Sequence, residues 1–122
     1  MYNLLENKIL LVVDDDIINI TLIYNYLKSY NANITYLSNS QEVIPFLEKE
    51  KFDIIIMDVK MPVINGIQLT TIIRNEMKLD TPIIILTASD NKKDFNNLSI
   101  SDYIMKPFSK ERLIKSIIKN IK

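Results

Sequence analysis

Asp58 closes an apolar run, Phe52-Asp53-Ile54-Ile55-Ile56-Met57, and is followed by Val59-Lys60-Met61-Pro62. Three other apolar runs end in polar chemistry in the same way. Ile9–Val13 leads into Asp14-Asp15-Asp16, residues 83–86 lead into Thr87, and Tyr103-Ile104-Met105 leads into Lys106-Pro107. A carboxylate, an acid cluster, a hydroxyl and an ammonium therefore sit at the trailing ends of four candidate strands. In a parallel sheet those ends share one edge, and that edge is where open α/β folds bind and react. Mg²⁺-dependent phosphoryl chemistry needs this set of groups.

The elements that must position these residues alternate in type. Ile9–Val13 reads as a buried strand. Residues 17–30 carry Ile20, Ile23, Tyr24, Leu27 and Tyr30 at helical spacing. A second strand is expected at 34–37. Ser38 and Ser40 are candidate N-caps for a helix ending near Glu50, and Pro45 either sits inside that helix or marks a later start. A third strand at 52–57 is followed, after Asn65-Gly66, by a helix over 68–77. Thr81-Pro82 opens a fourth strand at 83–86. The polar stretch 89–97 has room for a short helix only. Asp102–Met105 is the fifth strand, and Ser109 caps a last helix with Leu113, Ile114, Ile117, Ile118 and Ile121 on one face.

Five βα units with continuous apolar strands predict an α/β fold: a five-stranded parallel sheet covered by helices on both faces. Its crossovers should be right-handed. One domain spanning residues 1–122 is expected from the length.

Composition excludes several other chemistries. The formal net charge is +0, from 15 basic and 15 acidic side chains. That argues against a nucleic-acid module, which depends on a basic surface. With no cysteine and no histidine, thiol catalysis, thiolate metal sites, imidazole bases and a phosphohistidine relay within this chain all fall away. The single glycine, Gly66, leaves no glycine-rich phosphate loop. Apolar runs fall well short of a membrane span, and the first residues lack the pattern of a signal peptide. A cytoplasmic location without membrane contact is the expectation.

With the flavodoxin-like strand order 2-1-3-4-5, strand 1 neighbours strand 3 at roughly 4.8 Å. Asp14, Asp15 and Asp58 then crowd together, and carboxylates that close resist joint ionisation unless a cation neutralises them. Mg²⁺, which takes a few carboxylate oxygens plus waters, suits the place. Strand 4 sets Thr87 beside Asp58, where its hydroxyl can donate to a phosphoryl oxygen. Strand 5 lies roughly 10 Å from strand 3, a gap that the long Lys106 side chain can cross as a mobile point charge.

Four stretches carry a family resemblance. They are Ile9-Leu10-Leu11-Val12-Val13-Asp14-Asp15-Asp16, Ile56-Met57-Asp58-Val59-Lys60-Met61-Pro62-Val63-Ile64-Asn65-Gly66, Pro82-Ile83-Ile84-Ile85-Leu86-Thr87-Ala88-Ser89 and Asp102-Tyr103-Ile104-Met105-Lys106-Pro107-Phe108. In this order the chain resembles a receiver domain of a two-component response regulator, with the flavodoxin-like (βα)5 doubly wound fold of that superfamily.

The resemblance implies Asp58 as phosphoacceptor. It implies Mg²⁺ on Asp15, Asp58 and the Lys60 carbonyl, with Asp14 acting partly through water. Thr87 and Lys106 hold the phosphoryl group, and Tyr103 is an aromatic switch that follows Thr87. The Lys106–Pro107 bond is expected to be cis, and the small Ala88 leaves the site open to a partner. The implied partners are a histidine kinase or histidine phosphotransfer protein, a downstream effector, and a second copy in a phosphorylation-dependent dimer. The implied role is a switch that promotes its own phosphorylation and hydrolysis and turns over no independent substrate.

Two features depart from the family pattern. Ser99-Ile100 stands where a Gly-Ala pair is usual, and the stretch from Thr87 to Lys106 is roughly one helical turn short. Asn19 and the wording of 57–73 lean towards receivers attached to hybrid histidine kinases.

Blander readings stand beside these. Asp16 suits a helix cap, Lys106 alone suits a solvated charge, and Tyr103 alone suits a core position. Two other classes use parts of the same set. A haloacid-dehalogenase-like phosphatase would take its nucleophile from Asp14, so the identity of the modified aspartate separates it from a receiver. A flavodoxin-like module binding a flavin would be yellow.

Overall fold

A computed structural model describes residues 3–88, 95 and 98–121. Five strands form one parallel sheet: β1 (Ile9–Val13), β2 (Asn33–Leu37), β3 (Ile54–Asp58), β4 (Ile83–Thr87) and β5 (Asp102–Met105), in the order β2-β1-β3-β4-β5. Among the described residues the α-helices are α1 (Ile17–Leu27), α2 (Val43–Lys49), α3 (Gly66–Thr71) and α4 (Lys110–Asn120). The winding is the one the sequence predicts.

Alternation along each strand divides the core in two. Leu10, Val12, Ile54, Ile56, Ile84, Leu86 and Ile104 face α1 and α4, meeting Ile23, Leu27, Leu113 and Ile117. Leu11, Val13, Ile55, Met57, Ile83 and Ile85 face α2 and α3, meeting Val43, Leu47, Leu69 and Ile73. Both faces are apolar because both are covered, which is why the strands read as unbroken apolar runs.

Several local expectations are corrected. Tyr24 is exposed, while Leu22 and Tyr26 pack inward beside Ile23 and Leu27. The last turn of the first helix tightens into a 3₁₀ turn, Lys28–Tyr30, ending at Asn31 with φ 56°. Neither Ser38 nor Ser40 caps α2. Asn39 caps a 3₁₀ turn, Ser40–Glu42, and α2 starts only at Val43. Pro45 therefore lies in the first turn, where its missing N–H costs nothing.

The third helix begins at Gly66 under a reciprocal Asn65/Gln68 capping box and widens into a π-turn over Ile72–Glu76. Ser109 caps α4 as expected, accepting from the Arg112 N–H, and Asp16 caps α1. The short helix expected within 89–97, and any shortening there, lie outside the described residues, Phe95 excepted. Among the described residues no helix is long and apolar enough to cross a membrane.

Candidate phosphoacceptor site

Strand register brings the sequence-predicted residues to one edge. Val13 pairs with Met57, so Asp14 follows beside Asp58. Asp58 is the last residue of β3 and pairs with Leu86; Thr87 comes next. Thr87 in turn pairs with Met105, the residue before Lys106. Two main-chain bonds fasten this edge: Val59 N–H to the Leu86 carbonyl at 3.0 Å, and Lys106 N–H to the Thr87 carbonyl at 2.7 Å.

The acids differ in exposure. Asp14 is fully buried, Asp58 is 6% exposed, and Asp15 is exposed. Carboxylate oxygens of all three lie within 4.8 Å of one another. Lys106 crosses from β5 as its length predicts: its Nζ donates to Asp58 Oδ1 at 2.8 Å and reaches Asp14 Oδ2 at 3.5 Å. Asp14 Oδ1 accepts the Asp16 N–H at 2.9 Å, which fixes the entry to α1.

Among the described residues one cation, Lys106, is paired with this group of acids, and the electrostatics follow. Burial pushes the Asp14 carboxyl above its usual range, with the Asp58 charge adding to the rise; the Asp16 N–H and Lys106 offset this only in part. Burial alone would lower the Lys106 ammonium, but the hydrogen bond to Asp58 and the charges of Asp14 and Asp58 outweigh it and hold its pKa above the ordinary lysine value. The donor set fits a hard divalent ion: clustered carboxylate oxygens at a partly open edge, with more negative charge than the single lysine balances.

The remaining expected residues lie close by. Thr87 is buried at the end of β4. Lys60 is exposed two residues beyond Asp58, in the loop to α3. Tyr103 is half-buried in the core beneath α2 and α3, its ring centroid 5.6 Å from that of Phe95. Lys106–Pro107 is cis. Ala88 is exposed.

Gly66 is a further site residue, required by contact rather than by φ. A Cβ there would overlap the Asp58 carbonyl oxygen, and the Gly66 N–H donates to the Val59 carbonyl at 2.8 Å. The sequence signal was its standing as the only glycine. Nothing in the sequence pointed Tyr26 or Ser40, the latter a candidate helix cap, to the contacts they make. The Tyr26 hydroxyl donates to the Phe108 carbonyl at 3.2 Å, and the Ser40 hydroxyl to the Pro62 carbonyl at 2.8 Å.

A model of the response regulator receiver domain matches residues 10–118. The chain is 34% identical over 119 residues to the alkaline phosphatase synthesis transcriptional regulatory protein PhoP of Bacillus subtilis (strain 168), covering 93% of this chain and 49% of that protein. Among solved structures, the Francisella response regulator 1452 receiver domain is 32% identical with a TM-score of 0.84, covering 92% of this chain and 95% of that one. The receiver domain of a sensor histidine kinase from Pseudomonas aeruginosa PAO1, solved with a magnesium ion coordinated in the active site cleft, is 27% identical with a TM-score of 0.83; 93% and 97% of the two chains align. The chain spans about half the length, or less, of curated relatives it matches.

Proposed function

The chain belongs to the response regulator receiver family and is a receiver domain of two-component signalling; from that premise we propose that Asp58 is its phosphoacceptor. The observation that carries this reading is the Asp58–Lys106 contact of 2.8 Å inside a cluster of three acids at the carboxyl edge of the sheet.

An Asp58 carboxylate oxygen attacks the phosphorus of a phosphohistidine on a histidine kinase or phosphotransfer protein. A P–O bond forms as the P–N bond breaks, and the imidazole leaves with the partner. These 122 residues contain no histidine, so the donor imidazole lies outside them. Asp14, Asp15, Asp58 and the Lys60 carbonyl are the residues that would hold Mg²⁺, which when bound supplies positive charge against the acids and the phosphoryl oxygens. Lys106 stays beside Asp58 and offsets the charge that gathers there. Thr87 donates its hydroxyl to a phosphoryl oxygen, and the half-buried Tyr103 follows it. Occupancy of Asp58 thereby biases a two-state element that includes β5 and α4.

In this reading the domain catalyses only its own phosphorylation and hydrolysis. It acts in the cytoplasm, without membrane or nucleic-acid contact of its own. It passes the signal to an effector or to a second phosphorylated copy.

Beryllofluoride with Mg²⁺, a phosphoryl mimic, tests the assignment. Wild type is expected to bind it and shift conformation, and Asp58→Asn is expected not to respond; equal responses would remove Asp58 from its role. Lys106→Ala is expected to bind Mg²⁺ still but to switch poorly, and an unchanged switch would remove the role given to Lys106.

A further inference from the structure

The loop from Asp58 to Gly66 is held from several sides. Its base is closed by the Val59–Leu86 and Gly66–Val59 main-chain bonds. The Met61 side chain is buried in the core, and Asn65 is locked in its capping box. The remaining tether comes from a different loop. Ser40 lies on the 3₁₀ turn after β2, a turn fixed by the Asn39 side chain accepting from the Gln41 N–H. Ser40 is 4% exposed, and its hydroxyl donates to the Pro62 carbonyl at 2.8 Å.

That carbonyl also accepts the Ile64 N–H at 2.8 Å, closing a three-residue turn about Val63. Val63 has φ 71° and a 73% exposed side chain. A β-branched residue in the left-handed region is strained, and a γ-turn of positive φ is a rare form. Packing does not hold so exposed a side chain in place. The two donors on the Pro62 carbonyl do.

We propose that Ser40 is a positioning residue for the phosphoacceptor site. Its hydroxyl grips the Pro62 carbonyl, keeps Val63 in its left-handed turn, and so fixes the Lys60–Met61 backbone that follows Asp58. Where it concerns Mg²⁺, this inference rests on the reading of Asp58 given above.

The test compares wild type, Ser40→Ala, Val63→Asn and the double variant. One readout is titration with Mg²⁺ alone by calorimetry. The other is amide hydrogen exchange at Ile64 and Gly66 in the metal-free protein. Ser40→Ala is expected to weaken Mg²⁺ binding about fivefold, the equivalent of one ordinary hydrogen bond, and to speed exchange at Ile64 and Gly66 by a similar factor. Asparagine tolerates the left-handed region, so Val63→Asn removes the strain that Ser40 opposes. The double variant is therefore expected to return to within about twofold of wild type in both readouts.

Wild-type exchange at Ile64 and Gly66 in Ser40→Ala would overturn the proposal. So would a double variant as impaired as Ser40→Ala, which is what loss of general stability would give. If wild type takes neither Mg²⁺ nor beryllofluoride, it is the reading of Asp58 that fails, and the exchange data alone decide the role of Ser40.

Discussion

Two acids at the sheet, the buried Asp14 and the half-buried Asp102, are treated in opposite ways. Asp102 opens β5 and is closed off by partners. Arg112 forks onto its two oxygens at 3.1 and 3.4 Å, the Ser116 hydroxyl donates to it, and so does the Tyr103 N–H at 2.8 Å. Burial would raise its pKa, yet the hydrogen bonds from Arg112 and Ser116 and the Arg112 charge hold it below the usual carboxylate range. Asp14 shares one lysine with Asp58, and burial leaves its pKa raised. The Asp102 group is complete and staples β5 to α4. The Asp14 group carries surplus negative charge, which costs stability in the metal-free protein and leaves a place for a cation. Among the described residues, the acid that shares its one lysine lies at the edge proposed to react, and the saturated one marks a joint.

The largest expected effect falls on the joint. Asp102→Ala removes the acceptor for Arg112 and for the nearly buried Ser116, and should cost about 2 kcal/mol in denaturant unfolding. An unchanged midpoint would mean that the network is not load sharing. Asp14→Asn should act in the opposite direction. It relieves repulsion while Lys106 keeps Asp58, so the metal-free protein should gain up to about 1 kcal/mol, and the rise in melting temperature expected of wild type with Mg²⁺ should shrink. A loss of metal-free stability would break the contrast between the two acids.

The pH dependence of the metal-free protein should separate them again. Asp14 has a raised folded pKa, so its penalty is full above that value and disappears as pH falls towards the unfolded value of about 3.8. Asp102 has a lowered folded pKa, so its contribution is present above about 3.8 and is lost as pH falls through the folded value. Chemical unfolding across this range should show Asp14→Asn flattening the gain on acidification and Asp102→Asn flattening the loss below it. The smallest effect is expected for Arg112→Lys. It keeps the charge but loses the fork on a half-exposed side chain, and should cost about 0.5 kcal/mol.

The same contrast shows what could be read from sequence. Asp58, Thr87 and Lys106 were legible because each ends an apolar run, and parallel strands put such ends together. The sheet order followed from the alternation of elements with short connections. That Asp14 rather than Asp15 would be buried was not legible, because adjacent residues point to opposite sides and the pattern does not say which side is covered. The Asp102 joint was missed because its partners lie on α4 and look like ordinary surface residues in sequence. Ser40 was read as a helix cap, a local role serine often takes, whereas its partner is 22 residues away and comes into reach only through packing. Tyr24 and Tyr26 both fit a helical stripe, and only the fit against Phe108 selects Tyr26.

The decisive measurement is which aspartate takes the phosphoryl group. Incubation with acetyl phosphate and Mg²⁺, followed by peptide mass mapping, should place one phosphoryl group on the peptide containing Asp58. None should appear with a chelator present, and none in Asp58→Asn. A phosphoryl group on the Asp14 peptide, or uptake that neither the chelator nor Asp58→Asn reduces, would contradict it.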